Sequence, residues 1–212
     1  LLYWEGQHGR RHPSDPIVTA FAQPKLEFVS KHIELPQMPR ILDVGCGNGY
    51  FTYYLERLGQ SVGVDYAGAM LTLNPCSNLA QASAQSLPFR DGAFDMVFCS
   101  NLLHHVADPV AVIAEMKRVS RKYVVIHEPN RNNPAILALG VVKREERRSL
   151  RFTSSLLRSL VQQAGLRRVL ACETMGFITP NRMPRPIAML AARFNAPNPF
   201  GAFSVLVASC DQ

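Results

Sequence analysis

The sequence lacks several features that would narrow its class at once. No apolar run approaches the roughly 20 residues that a membrane-spanning helix needs. The longest, Ala135 to Val142, is eight residues and contains Gly140. The opening residues, Leu1-Leu2-Tyr3-Trp4-Glu5, have neither the basic start nor the apolar core of a signal peptide, and without a Met they leave room for a removed leader. The five cysteines are odd in number, widely spaced and without a Cys-x-x-Cys, so neither a disulfide framework nor a metal site is expected. A reducing, cytoplasmic setting follows from that usage. Charged residues are only 18% against 47% hydrophobic, which excludes a disordered chain and a coiled coil. At 212 residues the chain suffices for one well-buried domain.

The net charge of +7 is concentrated. Eight basic residues against Glu145 and Glu146 lie between Lys143 and Arg168, leaving the remainder almost neutral. Such a stretch meets nucleic acid or an acidic substrate, or forms a solvated face of helical charge pairs, and the last is the expectation.

From Arg40 onward, short β-branched runs alternate with amphipathic segments. The runs are 41–44, 61–65, 79–82, 96–99, 123–126, 169–172 and 203–207. Between them, Phe51, Tyr54, Leu55 and Leu58 follow helical spacing, Asp108-Pro109 reads as a cap and first turn, and Thr153 caps a further helix. An earlier helix is expected over 17–32. Alternation of this kind predicts an α/β domain with a doubly wound, largely parallel sheet. Residues 176–201 break the pattern with five prolines, so they are expected over a site and outside the sheet.

The most informative stretch is Asp43-Val44-Gly45-Cys46-Gly47-Asn48-Gly49-Tyr50. A buried strand runs into glycines at alternate positions and then a helix, as where backbone lies against a ligand. A dinucleotide loop would place its third glycine at position 50, which is Tyr50. The second strand ends in Asp65, where a ribose hydroxyl pair is normally held.

These residues resemble the class I S-adenosylmethionine-dependent methyltransferases, in the small-molecule branch called methyltransferase type 11. The likeness continues through Leu87-Pro88-Phe89-Arg90-Asp91-Gly92-Ala93-Phe94-Asp95-Met96-Val97 and Asn101-Leu102-Leu103-His104-His105-Val106. It covers residues 40–130 well and the rest in outline. The resemblance implies a Rossmann-like seven-stranded sheet of order 3-2-1-4-5-7-6 with the last strand antiparallel. It implies S-adenosylmethionine as cofactor and a small-molecule oxygen, nitrogen or carbon nucleophile as acceptor. Gly45, Cys46, Gly47 and Gly49 would face the methionine and ribose, with Asp43 either touching the cofactor or tying the loop. Asp65 would take the ribose hydroxyls, and Tyr66 and Met70 would lie near the adenine. Where the family usually has Asp-Ala, this chain has Ser83-Ala84-Gln85, which moves the adenine contact to Ala84 or Ser83. Ser100 and Asn101 would lie under the methionine.

After the fifth strand, Glu128 and Asn130 are the polar candidates facing substrate, with helix capping as the competing account for the asparagines. Glu128 and His104 are the candidates for catalysis. Phe177 and Met183 are expected in an acceptor-pocket wall, and residues 1–39 and 176–201 as its cover around a cofactor-binding core at 40–175. Two rival functions stay open. One is an RNA or protein methyltransferase using residues 143–168, and the other is a non-catalytic cofactor-binding partner subunit.

Overall fold

A computed structural model describes residues 10–181 and 183–211. Seven strands form one sheet: β1 (Arg40–Val44), β2 (Gln60–Asp65), β3 (Leu79–Gln81), β4 (Phe94–Ser100), β5 (Ser120–Pro129), β6 (Arg168–Met175) and β7 (Phe203–Ser209). Their order is β3-β2-β1-β4-β5-β7-β6. β1 pairs in parallel with β2 and β4, β2 with β3, and β4 with β5. β7 runs antiparallel to both neighbours. This is the α/β, Rossmann-like architecture expected from the sequence.

Alternation along the strands builds two cores, because successive side chains leave opposite faces. On one face Leu42, Val97, Cys99, Val124 and Leu206 pack against Val112, Ile113 and Met116 of α4 (Pro109–Val119) and Leu157 and Val161 of α6 (Ser154–Gln163). On the other, Ile41, Met96, Phe98, Val125, Val205 and Val207 meet Ile17, Phe21 and Val29 of α1 (Pro16–Ser30) and Leu55 of α2 (Thr52–Leu55). The short α3 (Gly68–Thr72) follows β2.

The caps form as expected. Asp108 accepts from the Ala111 N–H at 3.0 Å and Thr153 from Leu156 N–H at 3.1 Å. Asp15 caps α1, which starts at Pro16 and ends two residues before the expected His32. α5 (Pro134–Val142) leads into a 3-10 segment, Arg144–Arg151. The proline-rich segment holds α7 (Arg185–Ala191) and contributes no named strand. No helix among the described residues is long and apolar enough to cross a membrane.

One core residue defies the pattern. Lys25 of α1 is fully buried, and among the described residues its ammonium has no hydrogen-bond partner. It lies over the Phe21 ring at 4.1 Å and the Phe203 ring at 5.5 Å. Burial pulls its pKa down to about 7. Because the unfolded state keeps the proton between about 7 and the ordinary lysine value, stability rises with pH across that window. Lys25→Met, which keeps the length and removes the charge, is expected to stabilise the fold by about 1–2 kcal/mol at neutral pH. Denaturant titrations from pH 7 to 10 check this: the advantage of the variant should shrink as pH rises.

Candidate functional site

The carboxyl ends of β1, β2, β4 and β5 open into a cleft of about 940 Å³. Its floor is the glycine loop. Gly45, Gly47 and Gly49 all adopt left-handed backbone, with φ of 73°, 50° and 86°, which explains glycine at alternate positions. A Cβ on Gly47 would come within 3.2 Å of Met70 Cε, so the loop is shaped closely against α3. Asn74 braces it from outside, donating to Gly47 O at 3.1 Å while accepting from Cys76 N–H at 3.1 Å. Sequence reasoning missed Asn74, because its 27-residue separation from Gly47 carries no motif.

Asp65 ends β2 at the cleft rim. One carboxylate oxygen takes the Gly47 N–H and the other the Ala67 N–H, each at 2.8 Å. A carboxylate oxygen accepts more than one hydrogen bond, so the pair still suits a ribose diol. Asp43 lies deeper, accepting from Thr52 Oγ1 at 2.7 Å. It therefore ties the loop to α2. Burial drives its pKa up to about 7, with the Thr52 bond opposing and Asp65 adding.

Tyr66, Met70, Ser83, Ala84, Gln85, Ser100 and Asn101 all line the cleft with Asp43, Gly45, Cys46, Gly47 and Asp65. Gly49 stands behind the loop, where a Cβ would strike Asn74 Oδ1. Asn101 holds a φ of 52°, a left-handed conformation uncommon outside glycine. Ser100 Oγ lies 2.8 Å from His127 Nδ1, which fixes the end of β4 against β5.

The substrate-side expectations change. Glu128 is fully buried and outside the cleft lining. Its Oε1 accepts from Leu102 N–H at 2.8 Å and Leu103 N–H at 2.7 Å, and its Oε2 lies 2.5 Å from His104 Nδ1. It is a positioning residue, occupied by the start of the 3-10 turn Leu103–His105. Asn130 is likewise internal, donating to Gly201 O and accepting from Asn132 N–H, while Asn133 caps α5, so the capping account holds there.

Phe177 is half-buried outside the lining, and Met183 packs on the core cluster around α1. Met183 packs on the core, and neither side chain lines the pocket. The same segment instead offers Thr179, Pro180 and Asn181 to the cleft.

His104 and His105 reach the wall, joined there by Ile136 and Leu139 of α5 and by Glu146 and Ser149 of the basic stretch. Burial opposes the His104 charge, yet Glu128 and Glu146 outweigh it and raise the pKa to about 9. His105 goes the other way, to about 3, through burial and the neighbouring His104 charge. The residues before α1 meet the proline-rich segment beside this space. Arg11 Nε donates to Pro180 O at 2.7 Å, and Asn48 Nδ2 donates to Arg11 O at 3.3 Å. Residues 1–9 of the expected cover lie outside the described residues.

Residues 42–126, which supply this floor, match the family model for a methyltransferase domain. Over that stretch the chain is similar to S-adenosylmethionine-dependent methyltransferases. It is 34% identical over 134 residues to a ubiquinone biosynthesis O-methyltransferase of Xanthomonas axonopodis pv. citri, covering 57% of this chain and 55% of that protein. A protein of the same description from Hahella chejuensis is 33% identical over 114 residues, covering 46% and 44%. The chain thus spans about half the length of the curated relatives it matches. Among solved structures, a methyltransferase of Thermotoga maritima aligns with a TM-score of 0.71 at 18% identity, over 92% of this chain and 91% of that one. One from Aquifex aeolicus aligns at 0.64 and 18%, over 95% and 100%. These two show the shared fold.

Two outcomes follow from the site's geometry. Asp65→Ala removes a charged hydrogen-bond acceptor worth about 1.5 to 3 kcal/mol per bond, so S-adenosylmethionine affinity should fall at least about tenfold by calorimetry. It should also lower stability, since the Gly47 and Ala67 N–H groups lose their partner. The second concerns Asp43. Its folded pKa stands above the unfolded value, so the native state holds the extra proton and wild-type stability falls as pH rises from about 4 to 7. Asp43→Asn keeps an acceptor for Thr52 without the charge, and its melting temperature should fall less over that window.

Proposed function

We propose that this protein transfers a methyl group from S-adenosylmethionine to an oxygen of a small-molecule acceptor. The observation that carries the reading is the single cleft shared by two chemistries. A left-handed glycine loop and Asp65 lie on one side, and a wall of Ile136, Leu139, His104, His105 and Ser149 on the other. The O-methyltransferase relatives favour oxygen over nitrogen or carbon as the nucleophile.

The bound cofactor supplies an activated sulfonium methyl group. The chain's own work is to place the acceptor in line with it and exclude water. Asp65 would hold the ribose; Tyr66, Met70 and the 83–85 turn would flank the adenine; Ser100 and Asn101 would support the methionine. Residues 10–11 and 179–181, already tied to each other and to the glycine loop, would close the acceptor side. The cleft's size falls within the range of small-molecule sites. The basic stretch supports the RNA reading less well, because Glu146 and Ser149 turn into the cleft wall and Arg148 is engaged with Val106 O.

A methyl-transfer assay with labelled cofactor, run in parallel on phenolic small molecules, a metabolite extract and RNA, tests the proposal. Label should enter the small-molecule fraction and be unchanged by Arg147→Glu with Arg148→Glu. Label in RNA that this double variant abolishes would establish the RNA reading. Cofactor binding without transfer to any fraction would favour the partner-subunit role.

A further inference from the structure

We infer that His104, His105 and Glu146 form a Zn2+ site in the wall of the cleft. One ligand atom from each residue falls within 4.8 Å of the others. The His104 Nε2 to Glu146 Oε2 distance is 3.5 Å. Two ligand atoms at zinc bond lengths in tetrahedral geometry stand about 3.3 Å apart, so this pair is already spaced for the ion. Two imidazoles and a carboxylate are a donor set that zinc takes with its fourth position open, and all three residues line the cleft toward which that position would face.

A second, independent observation comes from behind His104. Glu128 is wholly buried, and its carboxylate takes the His104 Nδ1 proton while two backbone N–H groups lock its other oxygen. A carboxylate behind a metal-binding histidine fixes its tautomer and turns the other ring nitrogen toward the ion. That arrangement leaves Nε2 as the nitrogen directed at Glu146. Two carboxylates, from Glu128 and Glu146, flank one imidazole on opposite sides, and Zn2+ would bind Nε2 in place of the proton that faces Glu146, which leaves to water. The sequence carried no spacing signal for this site, because Glu146 lies 41 residues beyond His105 and on a different element.

The role of the ion rests on the proposed methyl transfer to oxygen. Zinc at the open position would bind the acceptor hydroxyl and lower its pKa toward neutrality, the proton leaving to water. The resulting oxygen anion would stand opposite the glycine loop. No electron transfer is involved.

The test uses the full chain stripped of metal by chelator and dialysed. Calorimetric titration with Zn2+ should show one site per chain, and Co2+ in its place should give the visible bands of a tetrahedral ion. His105→Ala and Glu146→Gln, both at partly exposed positions, should each weaken Zn2+ by at least about tenfold. Glu128→Gln should weaken it about 10- to 100-fold as an outer-shell change. Circular dichroism checks that each variant folds; if Glu128→Gln does not, the other two still decide. Absence of stoichiometric Zn2+ binding, or an affinity unmoved by His105→Ala and Glu146→Gln, would overturn the site. S-adenosylmethionine affinity measured on the same metal-free samples tests the methyltransferase reading separately. Its loss with Zn2+ binding intact would sink that reading and leave the metal site standing.

Discussion

The Glu128 carboxylate joins parts of the chain that no local rule brings together. It sits at the end of β5 with no solvent contact, and it is satisfied by the Leu102 and Leu103 N–H groups and by His104. A buried carboxylate with a partner removed costs several kcal/mol, so these bonds hold the loop after β4 in one position. That loop bears Asn101 in its left-handed conformation and the two histidines of the wall. The histidine wall is therefore positioned from behind by one side chain that bonds to His104 while lying outside the cleft lining.

On the floor, the constraint is backbone geometry. Three left-handed glycines let the chain reverse direction between β1 and α2, and the Asp65 and Asn74 side chains clamp Gly47 from two sides. Asp43, tied to Thr52, fixes where the helix begins. The loop is thus held by hydrogen bonds from the chain's own side chains.

How much of this was legible in the sequence depends on the range of the interaction involved. Strand order and the glycine loop were legible because strand periodicity and alternate glycines are local signals. The position of Asp65 at the end of β2 was legible because a strand-forming run stops there. Glu128 was misread as facing substrate, since sequence shows that a residue leaves the carboxyl edge but not which side of the edge its partners lie on. The places of Phe177 and Met183 were not legible, because an apolar residue on an irregular segment packs away from a pocket as readily as into it. Glu146 was hidden inside a run of arginines, where its neighbours' charge suggested a solvated face. Lys25 carries no signal in the helical pattern, yet it occupies the core side of that helix.

The position of β7 carries a consequence for how the molecule is made. It is the last strand in chain order, yet it lies between β5 and β6 and is bonded along its length to both. Until it arrives, β5 and β6 each present an unpaired edge, the kind of surface on which chains pair with one another. Phe203, which completes the cleft and stacks on His127 at 4.7 Å, arrives with it. During synthesis the glycine loop is available long before the pocket exists, so a nascent chain holds the floor of its site open to solvent and two sticky edges beside it. Closure of the sheet and completion of the cleft are one event.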